Sequence, residues 1–346
     1  MKHLIIIALL IFSIGLTTNA QNKQYKIASV AFYNLENLFD TIDSEDTYDY
    51  EFLPSGKKGW TSERYNKKLL KMADIISQIG EEYIKGGPQI LGVCEIENKT
   101  VLEDLINTPQ LKASNYGIVH YQSPDERGVD VGLLYRKDYF TILSSSSHVL
   151  KFDFDKDDET RAQLLVSAEY DKDSMYFIVN HWPSRGGGQK ASAPKRNAAA
   201  DLSRQLVDSI LNINPDAKII VMGDLNDNPD DASVKKHLKS GRNKNMLKKG
   251  ELYNPYYNVY KKGIGTTAYR DAWSLFDQHI ISQGLLSKDR SSFVYWKSNI
   301  FRKKFMLTKE GRYEGYPKRT FAFDRFQNGY SDHFPVYLFL IKEVNK

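Results

Sequence analysis

Polar residues that could bind a cation or transfer a proton stand directly after apolar runs of this 346-residue chain. Glu95 follows the apolar run 91–94, and a carboxylate at the end of a buried strand needs a cation or hydrogen-bond donors. Hard divalent ions such as Mg²⁺ bind one or two carboxylates and keep several waters. Glu95 is therefore the first candidate for a metal ligand.

Four further clusters place amides, imidazoles and acids at the ends of apolar runs. Asn34 ends the first run, and His181 ends a strongly apolar one, where a lone histidine is more often structural. Asp224 and Asn226 fall on the same side of an extended chain because side chains alternate with a period of two. Such an acid and amide can orient a water and a phosphate oxygen. The segment Ser331-Asp332-His333 stands just before the last run.

The elements that must position these residues are mostly strands. Nine runs rich in apolar and β-branched residues predict strands at 26–33, 89–95, 116–122, 129–135, 164–170, 175–181, 218–224, 276–282 and 335–341. The spacing of apolar residues predicts helices over 65–79, with Thr61 or Ser62 as its cap, and over 195–211. Short polar turns join several neighbouring strands. We therefore expect an α/β sandwich of two largely antiparallel sheets with helices outside them.

The N-terminus has the pattern of a signal peptide. Lys2 precedes an apolar stretch over 4–14, and small and polar residues then lead to Ala20. The stretch is roughly a dozen residues long whereas a spanning helix needs about 20, so an uncleaved anchor is the weaker alternative. We expect residues 1–20 to be removed by cleavage near Ala20, residues 21–346 to form one domain, and the mature protein to be secreted or periplasmic.

Composition narrows the class of protein only slightly. The formal net charge of +5 permits binding to a polyanion without requiring it. Cys94 is the only cysteine, which excludes an internal disulfide framework, and its apolar neighbours favour a buried small hydrophobe over a nucleophile. Two basic segments stand out at 235–249 and 288–319, the second interleaved with aromatic residues. They predict either solvated loops or a surface for a nucleic-acid strand.

Taken in chain order, the polar clusters resemble the motif set of the deoxyribonuclease I-like endonuclease/exonuclease/phosphatase superfamily. The matching residues are Asn34, Glu95, His181, Asp224-Leu225-Asn226, Asp277 and Ser331-Asp332-His333. The resemblance covers nearly all of the chain after residue 20. It implies a four-layer α/β sandwich, with two mostly antiparallel sheets packed face to face and flanked by helices. Cys94 departs from the family, which commonly has Gln there, and Asp277 lies in an unusual context, with Asp271 as its substitute.

The activity implied by the resemblance is metal-dependent hydrolysis of phosphodiester bonds. The cofactor would be Mg²⁺ or Mn²⁺, with Ca²⁺ as a supporting ion. Glu95 would be the principal ligand, with Asn34 and Asp332 nearby, directly or through water. The ion would neutralise a phosphate oxygen and the charge that develops on it.

The resemblance also implies how protons would move. His333, oriented by Asp277, would be the general base toward the attacking water. His181 would stabilise the transition state or protonate the leaving oxygen. Asp224 and Asn226 would position water and phosphate, and Asp224 is an alternative base.

The segment 123–130 should supply an acidic partner for His181, with Glu126 and Asp130 as the candidates. Arg127 and Arg185 are candidate substrate contacts because a guanidinium fork matches phosphate oxygens, although ordinary surface ion pairs would also explain them.

The substrate is less determined than the chemistry. Export, mild basicity and the segment 288–319 favour a secreted nuclease acting on DNA or RNA. A phosphatase or lipid phosphodiesterase, of the sphingomyelinase or inositol-phosphatase kind, would use the same residues on a phosphorylated small molecule or lipid head group. A binding protein that has lost catalysis is a third possibility, disfavoured because every motif position is intact. We expect a monomer without a stable protein partner.

Overall fold

The computed structural model describes residues 23–44 and 47–344 of the chain, so the predicted signal peptide and its cleavage site lie outside the described residues. The strands in that part are β1 (Tyr25–Leu38), β2 (Ile90–Ile96), β3 (Tyr116–His120), β4 (Asp130–Arg136), β5 (Thr141–His148), β6 (Gln163–Tyr170), β7 (Asp173–His181), β8 (Lys218–Asp224), β9 (Ser240–Gly241), β10 (Leu252–Tyr253), β11 (Thr267–Tyr269), β12 (Ala272–Ser274), β13 (Asp277–Ile281), β14 (Val294–Ile300), β15 (Phe321–Ala322), β16 (Arg325–Phe326) and β17 (Val336–Glu343). The α-helices are α1 (Ser62–Gln78), α2 (Lys99–Ile106), α3 (Gln189–Ile213) and α4 (Tyr257–Tyr260).

Two large sheets contain most of these strands. Within the described ranges, one sheet has the order β14-β17-β1-β2-β4-β3 and the other the order β5-β6-β7-β8-β13-β10-β9. Most neighbours are antiparallel, but three described pairs are parallel, namely β1 with β2, β7 with β8, and β9 with β10. The sheets are therefore mixed, with antiparallel pairing predominant, as expected.

The sheets pack face to face because their strands bury both sides. In β1, Val30 and Phe32 face the second sheet, while Ala31 and Tyr33 face α1 and α2. This alternation follows from the two-residue period of a strand. On the far side, α3 packs against the outer face of β7 and β8 through residues such as Val207. The result is the four-layer α/β sandwich that the sequence predicted.

All nine predicted strands are present, and β1 continues to Leu38. Thr61 caps α1 through its hydroxyl, which accepts from the Arg64 N–H. The second of the two predicted helices is α3, which begins at Gln189, earlier than predicted, and continues through Pro194. Pro194 has no N–H to donate to the carbonyl of Lys190, four residues earlier. Lys190 is exposed, so water can donate to that carbonyl instead. No helix in residues 23–44 or 47–344 is long and apolar enough to cross a bilayer.

Candidate active site

The strand pairing brings the polar strand ends together. Because β1 and β2 are parallel, Asn34 lies beside Cys94 and hence next to Glu95. In the second sheet, Asp224 lies opposite His181 on one side and opposite Asp277 on the other. Residues far apart in the chain therefore meet where the two sheets end at a common edge.

One half of the site, called here the imidazole side, consists of Asp224, Asp277 and His333. The His333 Nδ1 atom lies 2.7 Å from Asp277 Oδ2, and its Nε2 atom lies 3.8 Å from Asp224 Oδ2. Asp277 is fully buried, so its carboxylate holds the imidazole in one orientation. Asp271, the substitute considered for this role, instead lies on an exposed turn against Tyr316. Asp277, and not Asp271, therefore contacts His333.

The electrostatics of the imidazole side stabilise the protonated form of His333. Burial alone would lower the pKa of His333, but the carboxylates of Asp277 and Asp224 raise it well above its usual value. Burial, reinforced by the charge of Asp277, raises the pKa of Asp224 to about 7. His333 therefore carries a proton at neutral pH, and it can act as a base only after this proton has left.

His181 lies between the two halves of the site and has a partner that the sequence did not reveal. Its Nε2 atom is 3.8 Å from Glu95 Oε1 and 3.9 Å from Asp224 Oδ2. Arg161 approaches both ring nitrogens, with Nε 3.3 Å from Nδ1 and Nη2 3.1 Å from Nε2. Burial and then the charge of Arg161 lower the pKa of His181 well below its usual value. The imidazole is therefore neutral.

The predicted acidic partners of His181 are wrong. Asp130 accepts from the ring of His120 at 2.8 Å and from Ser123, so it orients a different histidine. Glu126 is exposed, and its backbone carbonyl accepts from the Tyr48 N–H. Arg161 was missed because it follows Thr160 at the start of a strand, where no motif or spacing marks it.

The other half of the site, called here the carboxylate side, contains Glu36, Glu95 and Asp332. Glu95 has a positive φ of 55°, and the register of β2 shifts there. Such a bulge redirects a side chain, and here it aims the carboxylate toward its neighbours. Glu95 Oε1 accepts from Asn34 Nδ2 at 3.0 Å, and Oε2 accepts from the Asn37 N–H at 3.0 Å.

Asn34 connects the two halves. Its amide nitrogen donates to Glu95 and, at 3.1 Å, to Asp224 of the other sheet, while its oxygen accepts from the Glu36 N–H. Asn34 is fully buried. In this arrangement it orients carboxylates, and its predicted role as a metal ligand stays a prediction.

Two cations from distant segments balance the carboxylate side. Arg319 contacts Asp332 directly, and its Nε atom lies 3.6 Å from Glu36 Oε1. Lys68 of α1 is fully buried, with Nζ 4.0 Å from Glu36 Oε2. Burial and then the charge of Asp332 raise the pKa of Glu36 to about 7, while burial lowers the pKa of Lys68 to about 8. Since Glu95 also acts on Lys68, these carboxylates share one electrostatic environment.

A family model described as the endonuclease/exonuclease/phosphatase family matches residues 29–342. The chain belongs to this family. Its members are hydrolytic phosphoesterases that generally use divalent metal ions.

Solved structures of low sequence identity share the fold. A family protein from Bacteroides thetaiotaomicron is 16% identical, with a TM-score of 0.56 over 93% of this chain and 97% of that chain. D. rerio TDP2 complexed with single strand DNA product is 15% identical, with a TM-score of 0.53 over 91% and 98%. A mannosyl-6-phosphatase from Bacteroides thetaiotaomicron is 16% identical, with a TM-score of 0.51 over 92% and 100%. No curated protein matches the chain.

The donor set of the carboxylate side fits the divalent ion that the endonuclease/exonuclease/phosphatase family uses. Glu95 and Asp332 are partly exposed, and both offer the hard oxygen atoms that Mg²⁺ and Mn²⁺ prefer. Three carboxylates here face only two protein cations. Cys94, His181 and Asp224 form a tighter group, but burial raises the pKa of the Cys94 thiol well above its usual value, so it keeps its proton and binds a metal poorly.

The remaining residues predicted for this family site lie around its rim. Asn226 has a positive φ of 48° and donates from its amide to the Trp182 carbonyl at 3.0 Å. Arg127 is largely exposed and can reach a ligand. Arg185 is already paired with Asp227 and Asp231. Its predicted contact to phosphate stays a prediction.

Proposed function

We propose that this protein hydrolyses phosphate esters with water, using Mg²⁺ or Mn²⁺ bound at the carboxylate side, with Ca²⁺ as a supporting ion. The observation that carries the proposal is the pairing of His333 with Asp277 at 2.7 Å, across Asp224 from Asn34 and Glu95. A positioned base on one side and hard oxygen ligands on the other is what hydrolysis of a phosphate ester needs.

The ion would be held by Glu95 and Asp332, and when bound it supplies neutralisation of a phosphate oxygen. Asn34 keeps Glu95 in place through its amide. His333, in its neutral form, takes the proton of the attacking water at Nε2, and Asp277 fixes its tautomer through Nδ1 and stabilises the resulting imidazolium.

Asp224 and Asn226 orient the attacking water and a phosphate oxygen. Asp224 lies within 4 Å of both imidazoles, so it can also accept a proton, and the choice of base is open to experiment. The neutral His181 donates a hydrogen bond to the phosphate, and the Arg161 guanidinium beside it adds positive charge. The low pKa of His181 favours this role over protonation of the leaving oxygen.

Hydrolysis of bis(p-nitrophenyl) phosphate tests the proposal. We expect turnover that Mg²⁺ or Mn²⁺ supports and EDTA abolishes, and a melting temperature that rises with added metal. Activity that is unchanged by EDTA would refute the proposed cofactor. The absence of turnover on every phosphate ester, with metal present and the protein folded, would refute the proposed activity.

The nuclease prediction depended in part on the aromatic residues of segment 288–319. Phe293 and Phe301 are buried, and Trp296 packs against Tyr83 and Phe339, so several of these residues stabilise the protein itself. Cleavage of plasmid DNA or RNA, weakened steeply by salt, would support the nuclease prediction, for which the TDP2 complex with DNA is a precedent. A sugar-phosphate substrate is the second candidate, favoured by a polar pocket that Arg161 lines.

We also propose that the protein is exported and cut near Ala20. Mass spectrometry of the protein purified from its natural cells and from their surroundings tests this, because export predicts an N-terminus at Gln21. A cytoplasmic protein that retains Met1 would contradict it.

A further inference from the structure

A cavity of about 350 Å³ is lined by Arg161, the residue that contacts both ring nitrogens of His181. We call it the Arg161 pocket. Its walls come from the loops 125–127, 158–161 and 183–186 and from the first turns of α3. A cavity of this size lies within the range of small-molecule sites.

Arg161 joins this pocket to the reacting centre. The buried guanidinium lines the cavity, donates to Asp125 at 3.2 Å and contacts His181 at 3.1 Å. Pro183 and Ser184, two of the next three residues after His181, also line it. A group that occupies the pocket is therefore one side chain away from a phosphate held by His181.

The walls of the pocket are built rigidly. Arg196, which is fully buried, donates to the Ser184 carbonyl and to the Ser192 hydroxyl, and pairs with Asp227. These contacts fix loop 183–186 to the start of α3. The cavity is thus part of the folded structure.

The lining of the Arg161 pocket excludes several ligand classes. Among the described residues that form it, none is aromatic, so a nucleobase would find no stacking partner. The apolar lining is limited to small residues such as Pro183 and Ala191, which is too little for a lipid chain. Four carboxylates outnumber three cations, which disfavours a second phosphate.

What the lining offers is a dense set of donors and acceptors. Lys195 is already paired with Asp158, whereas Glu126 and Glu159 are exposed acceptors and Arg127 is a largely exposed donor. Hydroxyl groups of Thr160 and Ser184 lie among them, whereas that of Ser192 is already bonded to Arg196 and Gly188. Vicinal hydroxyl groups of a ligand can donate to carboxylates and accept from guanidinium or ammonium groups at the same time.

We infer that the Arg161 pocket binds the hydroxylated organic part of the substrate, so that the preferred substrates are phosphate esters of sugars or other polyols. This inference rests on the proposed phosphate-ester hydrolysis. It adds the position, beside His181, where the esterified group is recognised.

The first test fills the pocket without touching the reacting groups. Ala191 is exposed in the first turn of α3 and lines the cavity, so Ala191→Trp places a large ring inside it. Lys190→Trp is the matched control, because Lys190 is an exposed neighbour outside the lining. The substrates are mannose 6-phosphate, glycerol phosphate, a dinucleotide and bis(p-nitrophenyl) phosphate.

We expect Ala191→Trp to lower kcat/KM for the polyol phosphates by about tenfold or more, and to leave bis(p-nitrophenyl) phosphate within about threefold. Lys190→Trp should change neither. Equal loss on both kinds of substrate, or no loss on polyol phosphates, would overturn the inference. Failure of the wild type on every ester, including bis(p-nitrophenyl) phosphate, would instead refute the proposed function.

The second test needs no variant. A site that hydrogen-bonds substrate hydroxyls discriminates against an analogue that lacks one, because its polar groups are left unpaired. Wild-type kcat/KM should therefore fall by about tenfold or more from glucose 6-phosphate to 2-deoxyglucose 6-phosphate or a 3-deoxy analogue. Equal turnover of all three, or faster turnover of the dinucleotide than of any polyol phosphate, would contradict a polyol pocket.

Discussion

The imidazole side and the carboxylate side of the site are held in place by different means. His333, Asp277 and Asp224 lie on or next to strands, and their contacts follow from a fixed register in which Asp277 faces Asp224. On the carboxylate side, Glu36 and Asp332 meet Lys68 and Arg319, which come from a helix and a long loop. The first group is positioned by strand register, whereas the second combines two strand residues, Glu36 of β1 and Glu95 of β2, with cations from a helix and a loop that balance their charges.

This difference indicates where a cation belongs. The imidazole side already contains the base that its acids require, and the Asp277 carboxylate is satisfied at one oxygen by His333. The carboxylate side has more acidic groups than protein cations, and Glu95 and Asp332 remain partly exposed. A divalent ion would complete that side, whereas the imidazole side is ready for proton transfer without one.

The largest effect should come from His333→Ala, which removes the base of the imidazole side. We expect kcat/KM on bis(p-nitrophenyl) phosphate to fall about 10³-fold, since general-base catalysis contributes roughly 10² to 10⁴. His237, which is partly exposed and paired with Asp201 far from the reacting groups in the chain, provides the matched control His237→Ala, which should stay within about twofold. Full activity of a folded His333→Ala protein would move the role of base to Asp224.

Lys68→Met should reveal the charge balance of the carboxylate side through stability. The change leaves Glu36 without its fully buried cation and removes the donor to the Thr320 hydroxyl and to the Tyr330 carbonyl, both at 2.6 Å. Breaking a buried pair costs about 3 to 5 kcal/mol, which urea unfolding can measure. Lys67→Met, on the exposed neighbour, should cost no more than about 0.5 kcal/mol. Equal costs for the two variants would show that Lys68 is not a structural cation.

The sequence predicted the imidazole side better than the carboxylate side. Asp224 ends the apolar run that predicted β8, and the resemblance to the family identified Asp277 and His333, whereas Glu36 on the carboxylate side was not identified. Lys68 and Arg161 carry no such signature, because their partners Thr320 and His181 are brought close only by tertiary packing. Spacing along a chain does not encode such contacts, whether the residues are 252 positions apart, as Lys68 and Thr320 are, or 20, as Arg161 and His181 are.

The strands and helices that the sequence did not predict are likewise those without a clear apolar pattern. Apolar runs predicted the central strands, but β5 was missed because its centre is the run Ser144 to Ser147, which lacks apolar alternation. It lies at the edge of its sheet, where one neighbour suffices and polar side chains meet solvent. The strand β14 was missed for a similar reason, since it is also an edge strand and contains Lys297 and Ser298. The helix α2 is short, and its cap Asn98 was overlooked.

A second buried histidine, His279, differs from His333 in the direction of its pKa shift. His279 is on β13, but its Nδ1 meets the Tyr256 hydroxyl rather than a carboxylate, and burial lowers its pKa to about 3. As the pH falls, this histidine is protonated in the unfolded chain, where its pKa is about 6.5, before it is protonated in the folded protein. The contribution of neutral His279 to the free energy of unfolding is therefore complete above pH 6.5 and is lost as the pH falls toward 3. When the pH is lowered from 7.5 to 5, the free energy of unfolding measured with urea should fall by about 2 kcal/mol less in His279→Gln than in the wild type. Parallel pH profiles would contradict the depressed pKa.

The smallest effect concerns a single ligand of the carboxylate side. Glu95→Gln keeps the shape of the side chain but removes its charge, so Mn²⁺ affinity measured by calorimetry should fall by about tenfold or more. Exposed Glu103, paired with Lys99 on α2, supplies the control Glu103→Gln, which should leave the affinity unchanged. Undiminished Mn²⁺ binding by the Glu95 variant would remove that residue from the metal site.

The central claim is that one divalent ion binds between Glu95 and Asp332, across the cleft from His333. Anomalous diffraction from crystals soaked in Mn²⁺ tests it directly, because the peak locates the ion without reference to activity. The account predicts a main peak within coordination distance of oxygen atoms of Glu95 and Asp332. A main peak among Cys94, His181 and Asp224, or no peak at the carboxylate side, would contradict it.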